Sequence, residues 1–299
     1  MTQAIDLLED QIRHLHNQGR LRVWSLVITI FGDAVQLRGG RVAISVMQSL
    51  TDRLGVEVGA LRTAMSRLAK DGWVTREKRA RHSFYRLNSN GAGEFEAATR
   101  RIYAGQSGLD RCDLTIGVLP KGRSDAGIRK FLAQSHALGV RNGVAIWAND
   151  TAPPAHDFEK SGVFCVQGNP WVTPNWVKEA LGSDDHKIRY RNLSARWDQA
   201  ANNISLLHKL EPLDAMALRT LLIHDWRRCL LRQPDLPAEL LPGDWPEPEC
   251  RAQIGAIYHA LLPSSEAWWT DNITPDGMDA LDHRFPTQAP VTLRNFIDG

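Results

Sequence analysis

Nine cationic side chains lie between Arg53 and Arg86, and only three acidic side chains oppose them, so this segment carries a charge of +6. The whole chain carries +2, which leaves −4 for the residues outside the segment. Guanidinium and ammonium groups bind phosphate oxygens, and arginine also pairs with the edge of guanine. Such a concentration of cations on an otherwise acidic chain is the charge distribution expected of a DNA-binding module.

The apolar spacing inside this segment predicts the helix that carries many of these cations. Leu61, Met65 and Leu68 recur at positions i, i+4 and i+7, which places them on one buried face. Gly72 supplies a C-terminal stop. The opposite face then carries short polar or cationic side chains, as a helix that reads base edges in the major groove requires. These residues are Arg62, Thr63, Ser66, Arg67 and Lys70.

The flanking segments predict a helix-turn-helix followed by a hairpin. A helix over 46–54, with Ser45 as its N-cap, ends at Gly55, just before the arginine-bearing helix. Strands over 73–77 and 83–87 then form a two-stranded hairpin. Its connection is predicted to contact phosphate or the minor groove. The connection contains Lys78, Arg79, Arg81 and His82. The alternative to this winged helix-turn-helix is a solvated charged helix beside a surface hairpin.

The remaining patterns predict an α+β chain of several domains. Residues 1–105 are expected to form the winged helix-turn-helix domain with an N-terminal helix and a linker helix. Residues 106–170 show a strand, helix, strand, strand pattern, which predicts a small ferredoxin-like α/β domain. Residues 171–299 are rich in tryptophan and predict a helical C-terminal domain with proline-rich spacers.

Several classes of protein are disfavoured by the sequence. No apolar run approaches the roughly 20 residues that span a bilayer, and no signal peptide is visible, so a cytoplasmic protein is expected. The four cysteines are far apart, which fits neither a zinc site nor a disulfide framework. His186 beside Asp184 and Asp185 could suggest a metal cluster but is more often a polar loop. We expect no catalytic site, metal or cofactor.

A polar group interrupts an apolar stretch in the C-terminal region. His224, Asp225, Arg227 and Arg228 fall within one or two helical turns, between leucines and isoleucine. They could bind an anionic ligand, or they could form a salt-bridge network between domains. The tryptophans of the region are more often core residues than a ligand cage.

Six stretches along nearly the whole chain resemble, in the same order, the PaaX family of transcriptional repressors of phenylacetic acid degradation genes. They are residues 24–34, 39–40, 61–73, 83–87, 222–227 and 236–240. The resemblance implies a middle domain similar to the Cas2-like ferredoxin fold. It also implies a homodimer that binds a palindromic operator in double-stranded DNA and is released by an acyl-CoA effector, typically phenylacetyl-CoA.

An acyl-CoA is anionic at its nucleotide end and apolar at its acyl end, so its pocket needs cations at one end and aromatic rings at the other. Ligand sites favour domain interfaces, so the helical C-terminal domain and its junction with the middle domain are the expected place. The candidate effector-binding residues are Trp197, His224, Trp226, Arg227 and Arg228.

Two enzyme hypotheses compete with a regulator. An acyl-CoA-processing enzyme with an ancillary winged helix would need an acid/base pair, for which His224 and Asp225 are the candidates. A nuclease built on the middle domain would need a metal-binding aspartate at the end of its first strand. Asp113 instead lies at the predicted start of that strand, and Asp125 lies on the following helix. We therefore expect a regulator rather than an enzyme.

Overall fold

The computed structural model describes residues 2–36, 39–79, 82–88, 98–103, 114–120, 125–135, 137–141, 143–148, 152–170, 172–233 and 236–272. The chain combines helices with two small antiparallel sheets and divides into two compact units. Unit 1 contains Met1–Gly105, Ser205–Leu221 and Tyr258–Gly299, and unit 2 contains Gln106–Ile204 and Leu222–Ile257. The predicted division into three domains stays a prediction.

Five helices of the first 105 residues belong to unit 1. They are α1 (Thr2–Asn17), α2 (Val23–Ile30), α3 (Ile44–Arg53), α4 (Val58–Lys70) and α5, which is described over residues 98–103. Helix α2 is apolar around most of its circumference, and Leu26, Val27 and Ile30 are fully buried. Its last turn widens into a π-helix, Phe31–Val35. Helix α2 packs against α4, so these two helices form the centre of the N-terminal region.

The sheet of unit 1 has three strands. The sequence predicts the two hairpin strands and an extended piece over 41–44, but not the pairing of that piece into the sheet. Strands β1 (Arg41–Ala43), β2 (Val74–Arg79) and β3 (His82–Leu87) lie in the order β1-β3-β2, and both pairs are antiparallel. The predicted hairpin is β2 and β3, and β1 adds to its free edge by pairing with β3.

Two local predictions differ from the structure. Helix α3 starts at Ile44 with Ala43 as its N-cap, so the prediction of Ser45 as the N-cap is wrong. Pairing with β3 keeps the chain extended through Ala43, and the helix begins at Ile44, two residues before its predicted start. The hairpin strands also reach Arg79 and His82, so the connection between them is only residues 80–81, which lie outside the described residues.

The sheet of unit 2 has four antiparallel strands. Strands β4 (Leu114–Val118), β5 (Leu138–Arg141), β6 (Val144–Ala148) and β7 (Phe164–Gly168) lie in the order β5-β6-β4-β7. Helix α6 (Asp125–Gln134) follows β4, and α7 (Ala155–Ser161) precedes β7. The predicted strand, helix, strand, strand pattern lacks β5 and α7: the helix after β4 ends at Gln134, and Leu138 begins β5.

One tryptophan organises the core behind this sheet. Trp147 is fully buried, lies edge-on against Phe158 and donates through Nε1 to the Ser135 carbonyl oxygen at 2.9 Å. A Cβ atom on Gly117, in the neighbouring strand, would lie 2.5 Å from the Trp147 ring. The indole therefore occupies the space that any side chain at position 117 would need.

The C-terminal region is helical, as predicted. Its helices are α8 (Asn175–Leu181), α9 (Asp184–Asn202), α10 (Ile204–Leu207), α11 (Pro212–Leu230) and α12 (Glu247–Asn272). The Ser183 side chain caps α9 by accepting from the backbone N–H of His186, so His186 lies in a first helical turn rather than in a polar loop. The boundary between the two units falls within α11 and within α12.

Candidate nucleic-acid interface

The turn between α3 and α4 is held by a side chain of α1. His16 donates through Nε2 to the carbonyl oxygen of Leu54, at 2.9 Å. The next residue, Gly55, has a φ of +71°, and a Cβ atom there would lie 2.9 Å from the same His16 nitrogen. Only glycine fits both the left-handed backbone and this space, so Gly55 is required for the turn that leads from α3 into α4.

Helix α4 has the two faces that the sequence predicts. Leu61, Met65 and Leu68 are buried, which confirms the predicted stripe, and Ala64 extends it. The five polar residues of the opposite face are exposed. They are Arg62, Thr63, Ser66, Arg67 and Lys70. Gly72 ends the helix with a φ of +77°, the left-handed conformation expected of a C-terminal stop.

Contacts within unit 1 constrain two side chains of the exposed face. The Thr63 hydroxyl donates to the Gly59 carbonyl oxygen at 2.9 Å, which leaves the hydroxyl oxygen able to accept. The guanidinium of Arg67 lies 6.0 Å from the centre of the Trp24 ring and 3.5 Å from an Asp71 carboxylate oxygen. The Arg67 side chain nevertheless remains 66% exposed, so its donors stay accessible to a ligand.

The hairpin carries further cations. Lys78 is exposed near its tip. In the antiparallel pairing of β2 with β3, Arg79 lies opposite His82, but the structure does not describe their side chains. Arg81 lies outside the described residues. Closer to the helices, Arg76 donates to the Ser83 hydroxyl at 2.9 Å, and Arg41 stacks over the Phe84 ring at 5.1 Å. These contacts tie the three strands together through their side chains.

The candidate effector residues lie in the interior of unit 2 or at its margin. Trp197 and Trp226 are fully buried, and Trp226 packs against the ring of Tyr190 and under the guanidinium of Arg251. Arg227 and Arg228 are half-buried.

The polar members of this group are engaged by neighbouring residues. Asp225 accepts from Arg196 at 2.5 Å and from the indole Nε1 of Trp197 at 3.3 Å. Burial, and then the charges of Arg227 and Arg228, lower the pKa of His224 to about 3. The imidazole is therefore neutral near pH 7.

A second group of polar residues, which the sequence did not single out, lies inside unit 1. The guanidinium of Arg219 and the carboxylate of Asp33 are both buried, with 2.8 Å between Nε and Oδ2. Each residue interrupts an apolar run of the sequence, and a charge within such a run is the sequence feature that could have revealed them.

Metal and membrane sites find no support in the part of the chain that the structure describes. No group of three or more histidine, cysteine, aspartate or glutamate side chains there could hold a metal ion. None of the described helices is long and apolar enough to cross a membrane.

Comparison with known proteins yields two family matches and one similar repressor. Residues 22–91 match the family described as PaaX-like protein, and residues 182–271 match the PaaX-like protein C-terminal domain. The two matches together span just over half of the chain. The first contains every candidate DNA-binding residue, and the second contains every candidate effector residue. The transcriptional repressor PaaX of Escherichia coli K12 is 25% identical over 287 residues, which cover 87% of each chain.

One solved structure is similar over most of its length. The uncharacterised protein Rv0674 from Mycobacterium tuberculosis is covered over 97% of its chain by 82% of this one, with 16% identity and a TM-score of 0.47. A TM-score of that size is too low to establish a common fold.

Proposed function

Because this chain belongs to the PaaX family, we propose that it is a transcriptional repressor that binds double-stranded DNA. The observation that carries the proposal is helix α4, whose exposed face combines arginine, threonine, serine and lysine above a fully buried apolar stripe. A helix that reads base edges needs side chains of this kind directed away from the core.

Each residue of the exposed face has a distinct proposed role. Arg62 and Arg67 can each give two parallel hydrogen bonds to the edge of a guanine. Thr63 and Ser66 have short side chains, so they contact bases only where α4 approaches the base edges closely. Lys70 and the hairpin cations, Lys78, Arg79, Arg81 and His82, bind phosphate or enter the minor groove.

The fold supports two finer assignments as part of this proposal. Helices α3 and α4, followed by the β2–β3 hairpin with β1 at its edge, form a winged helix-turn-helix. The four-stranded sheet of unit 2, with α6 and α7, is a ferredoxin-like domain of the Cas2 type.

The proposed regulatory cycle follows the resemblance to the family. The protein acts as a homodimer on a palindromic operator of a phenylacetate-type catabolic operon, with recognition helices about 34 Å apart or a multiple of that distance. An aryl- or acyl-CoA thioester releases it, by binding more tightly to a conformation with low affinity for the operator. Arg227 and Arg228 are the proposed contacts for the anionic end of this effector, because both are partly accessible.

In the residues that the structure describes, the acid/base pair of the acyl-CoA-processing hypothesis is buried or engaged by other side chains. His224 is 2% exposed, and Asp225 is occupied by Arg196 and Trp197. A general base must lie within hydrogen-bond reach of the proton that it removes from a substrate.

A salt titration of DNA binding tests the proposal. Six to eight phosphate contacts predict a slope of log affinity against log salt of roughly −5 to −7, measured by fluorescence anisotropy on a random-sequence duplex.

Arg67→Ala should weaken binding to a duplex selected from a random pool by about 5- to 100-fold and relax its sequence preference at one position. Lys70→Ala should weaken binding to all duplexes alike and make the slope shallower by about 1.

Arg13→Ala is the matched control. Arg13 lies on α1, is 70% exposed and pairs with Asp10, so its loss removes one positive charge that belongs neither to α4 nor to the hairpin. Its affinity should stay within about twofold of wild type. If Arg67→Ala behaves like Arg13→Ala on every duplex, α4 is not the recognition helix.

The effector is tested separately by thermal shift. A thioester present at 100 times its dissociation constant should stabilise the protein by about 2.7 kcal/mol. A panel should include phenylacetyl-CoA, acetyl-CoA and free CoA. The absence of a shift with every thioester would leave DNA binding intact but remove the acyl-CoA effector.

A further inference from the structure

The guanidinium of Arg219 joins three parts of the chain inside unit 1: α11, the π-helical turn after α2, and α12. Arg219, on α11, has no exposed surface. It lies 2.8 Å from the carboxylate of Asp33, which belongs to the π-helical turn after α2. On α12 it donates to the hydroxyl of Tyr258 at 3.0 Å and to that of Ser265 at 3.2 Å, and it pairs with the carboxylate of Glu266.

The carboxylate of Asp33 is shared with two tyrosines. The hydroxyl of Tyr103, on α5, donates to Asp33 Oδ1 at 2.5 Å, and that of Tyr258 donates to the same oxygen at 3.3 Å. The two rings lie 5.9 Å apart, and the guanidinium of Arg219 lies 4.8 Å from the centre of the Tyr258 ring. Burial alone would lower the pKa of Arg219, but the Asp33 carboxylate and the two tyrosines outweigh it and raise the pKa.

A second ion pair links α11 to the helix-turn-helix. Arg53, at the end of α3, contacts Asp214 in the first turn of α11 at 2.5 Å and Glu9 of α1 at 2.9 Å. Helix α11 is therefore fastened to α3 through Asp214 and to the end of α2 through Arg219.

The connection continues from Asp33 to the recognition helix. The π-helical turn that carries Asp33 is the direct continuation of α2, and α2 packs along α4. Trp24, in the first turn of α2, lies under the guanidinium of Arg67. A shift of Asp33 along the axis of α2 would move the surface on which α4 and Arg67 rest.

From this geometry we infer that Arg219 is a positioning residue for the proposed DNA-binding helix, acting through Asp33 and α2. The inference rests on the proposed function for its consequence in DNA binding, but the mechanical link itself does not. The α11 segment matched to the C-terminal family domain thus supplies a structural part of the DNA-binding unit, and Arg219 is a residue through which a displacement of α11 would reach α2 and then α4.

The test compares Arg219→Met with a matched control, Phe158→Leu. Methionine replaces the apolar stem of arginine with a shorter apolar side chain and removes the guanidinium with its charge. Phe158 lies in the core of unit 2, against Trp147, so its shortening lowers stability without touching the Arg219 cluster. Both variants are studied at a temperature at which circular dichroism shows them folded.

Hydrogen exchange measures the link without DNA. In Arg219→Met, amide exchange in α2 with its π-helical turn and in α4 should accelerate at least about tenfold, whereas α9 should remain unchanged. In Phe158→Leu, exchange in α2 and α4 should stay within about twofold of wild type. Unchanged exchange of α2 and α4 in Arg219→Met would overturn the inference.

DNA binding then measures the consequence. The folded Arg219→Met protein should bind the selected duplex at least about tenfold more weakly than wild type and than Phe158→Leu. Wild-type affinity in that variant would also overturn the inference. If the wild-type protein itself shows no salt-dependent DNA binding, the proposed function fails, and the exchange result alone decides whether Arg219 positions α4.

A milder variant covers the case in which Arg219→Met does not fold. Tyr258→Phe keeps the ring beneath the guanidinium and removes the hydroxyl that joins Arg219 to Asp33. It should accelerate exchange in α2 and α4 by about threefold. Wild-type exchange in Tyr258→Phe, together with an unfolded Arg219→Met, would assign the cluster to stability alone.

Discussion

At the scale of single residues, helix α11 carries two buried basic side chains with opposite outcomes. Arg219 keeps its charge because the Asp33 carboxylate lies 2.8 Å away and outweighs the cost of burial. His224, little more than one turn later, is also buried, but the charges that act on it are those of Arg227 and Arg228. Burial and like charge therefore act in the same direction on His224, and the imidazole stays neutral.

This neutral imidazole makes the stability of the protein depend on pH. The pKa of His224 is about 3 in the folded chain and about 6.5 in the unfolded chain. Between these values the unfolded chain binds a proton that the folded chain does not, so the contribution is constant above pH 6.5 and becomes unfavourable as the pH falls. The loss is about 1.4 kcal/mol per pH unit, or about 2 kcal/mol at about pH 5.

His224→Gln should remove this pH dependence. The substitution changes stability at every pH, but the difference between wild type and variant should shift by about 2 kcal/mol between about pH 7.5 and about pH 5, measured by urea unfolding. His156→Gln is the control, because the side chain of His156 is 63% exposed. An equal shift in both variants would show that burial of His224 is not the cause.

The environment of a single residue was predictable from the sequence where it depends only on neighbouring residues in the chain. The spacing of Leu61, Met65 and Leu68 was enough to identify the exposed face of α4. The pairing of Asp33 with Arg219 could not be predicted, because the sequence identifies each residue only as a charge within an apolar run. Nothing in a single sequence states which distant charge is its partner.

At the scale of elements, the turn between α3 and α4 depends on one glycine. Gly55→Ala places a methyl group 2.9 Å from His16 Nε2 and forces alanine into a left-handed backbone. We expect the free energy of unfolding to fall by roughly 1–3 kcal/mol. Thermal or urea unfolding measures the change.

Gly59 offers the matched control four residues later. It lies in the first turn of α4, and a Cβ atom there would meet nothing within 4 Å. Gly59→Ala should leave stability unchanged or raise it by up to about 1 kcal/mol, because alanine favours the helix. Equal effects of the two substitutions would mean that the backbone at Gly55 tolerates a side chain and that His16 does not constrain the turn.

Elements with strong local patterns were predictable, but strand β5 and the pairing of β1 with β3 were not. The hairpin of β2 and β3 was expected because its two strands are close in sequence and rich in β-branched and aromatic residues. Strands β1 and β5 have only three and four residues, too few for an alternating pattern. Strand β1 also pairs with residues more than 40 positions away, Arg41 with Arg86, which no local pattern indicates.

At the scale of the whole molecule, unit 1 is assembled from three stretches of chain. Residues 205–221 and 258–272 pack with the first 105 residues. The two ion pairs that link α11 to the N-terminal residues, Arg53 to Asp214 and Asp33 to Arg219, lie inside this unit. The N-terminal helices therefore share one compact unit with part of the C-terminal region.

A fragment of residues 1–105 should not form a stable domain on its own. Without α11 and α12 it exposes apolar surface and leaves Asp33 without Arg219. We expect the purified fragment to bind a hydrophobic dye and to unfold without a cooperative transition, as followed by circular dichroism. A sharp thermal transition in the fragment would show that residues 1–105 fold independently, as the predicted domain boundary implies.

Because unit 1 is assembled from distant stretches of the chain, its fold cannot be completed until most of the chain has been synthesised. A ribosome makes residue 33 early, but its partners on α11 and α12 are still to come when residue 105 is complete. About 160 further residues must be translated before Glu266 joins the cluster, which takes roughly 8–30 s at ordinary elongation rates. During that interval the nascent N-terminal helices lack part of the Arg219 cluster, and a truncated translation product would carry the basic segment without the residues that complete this cluster.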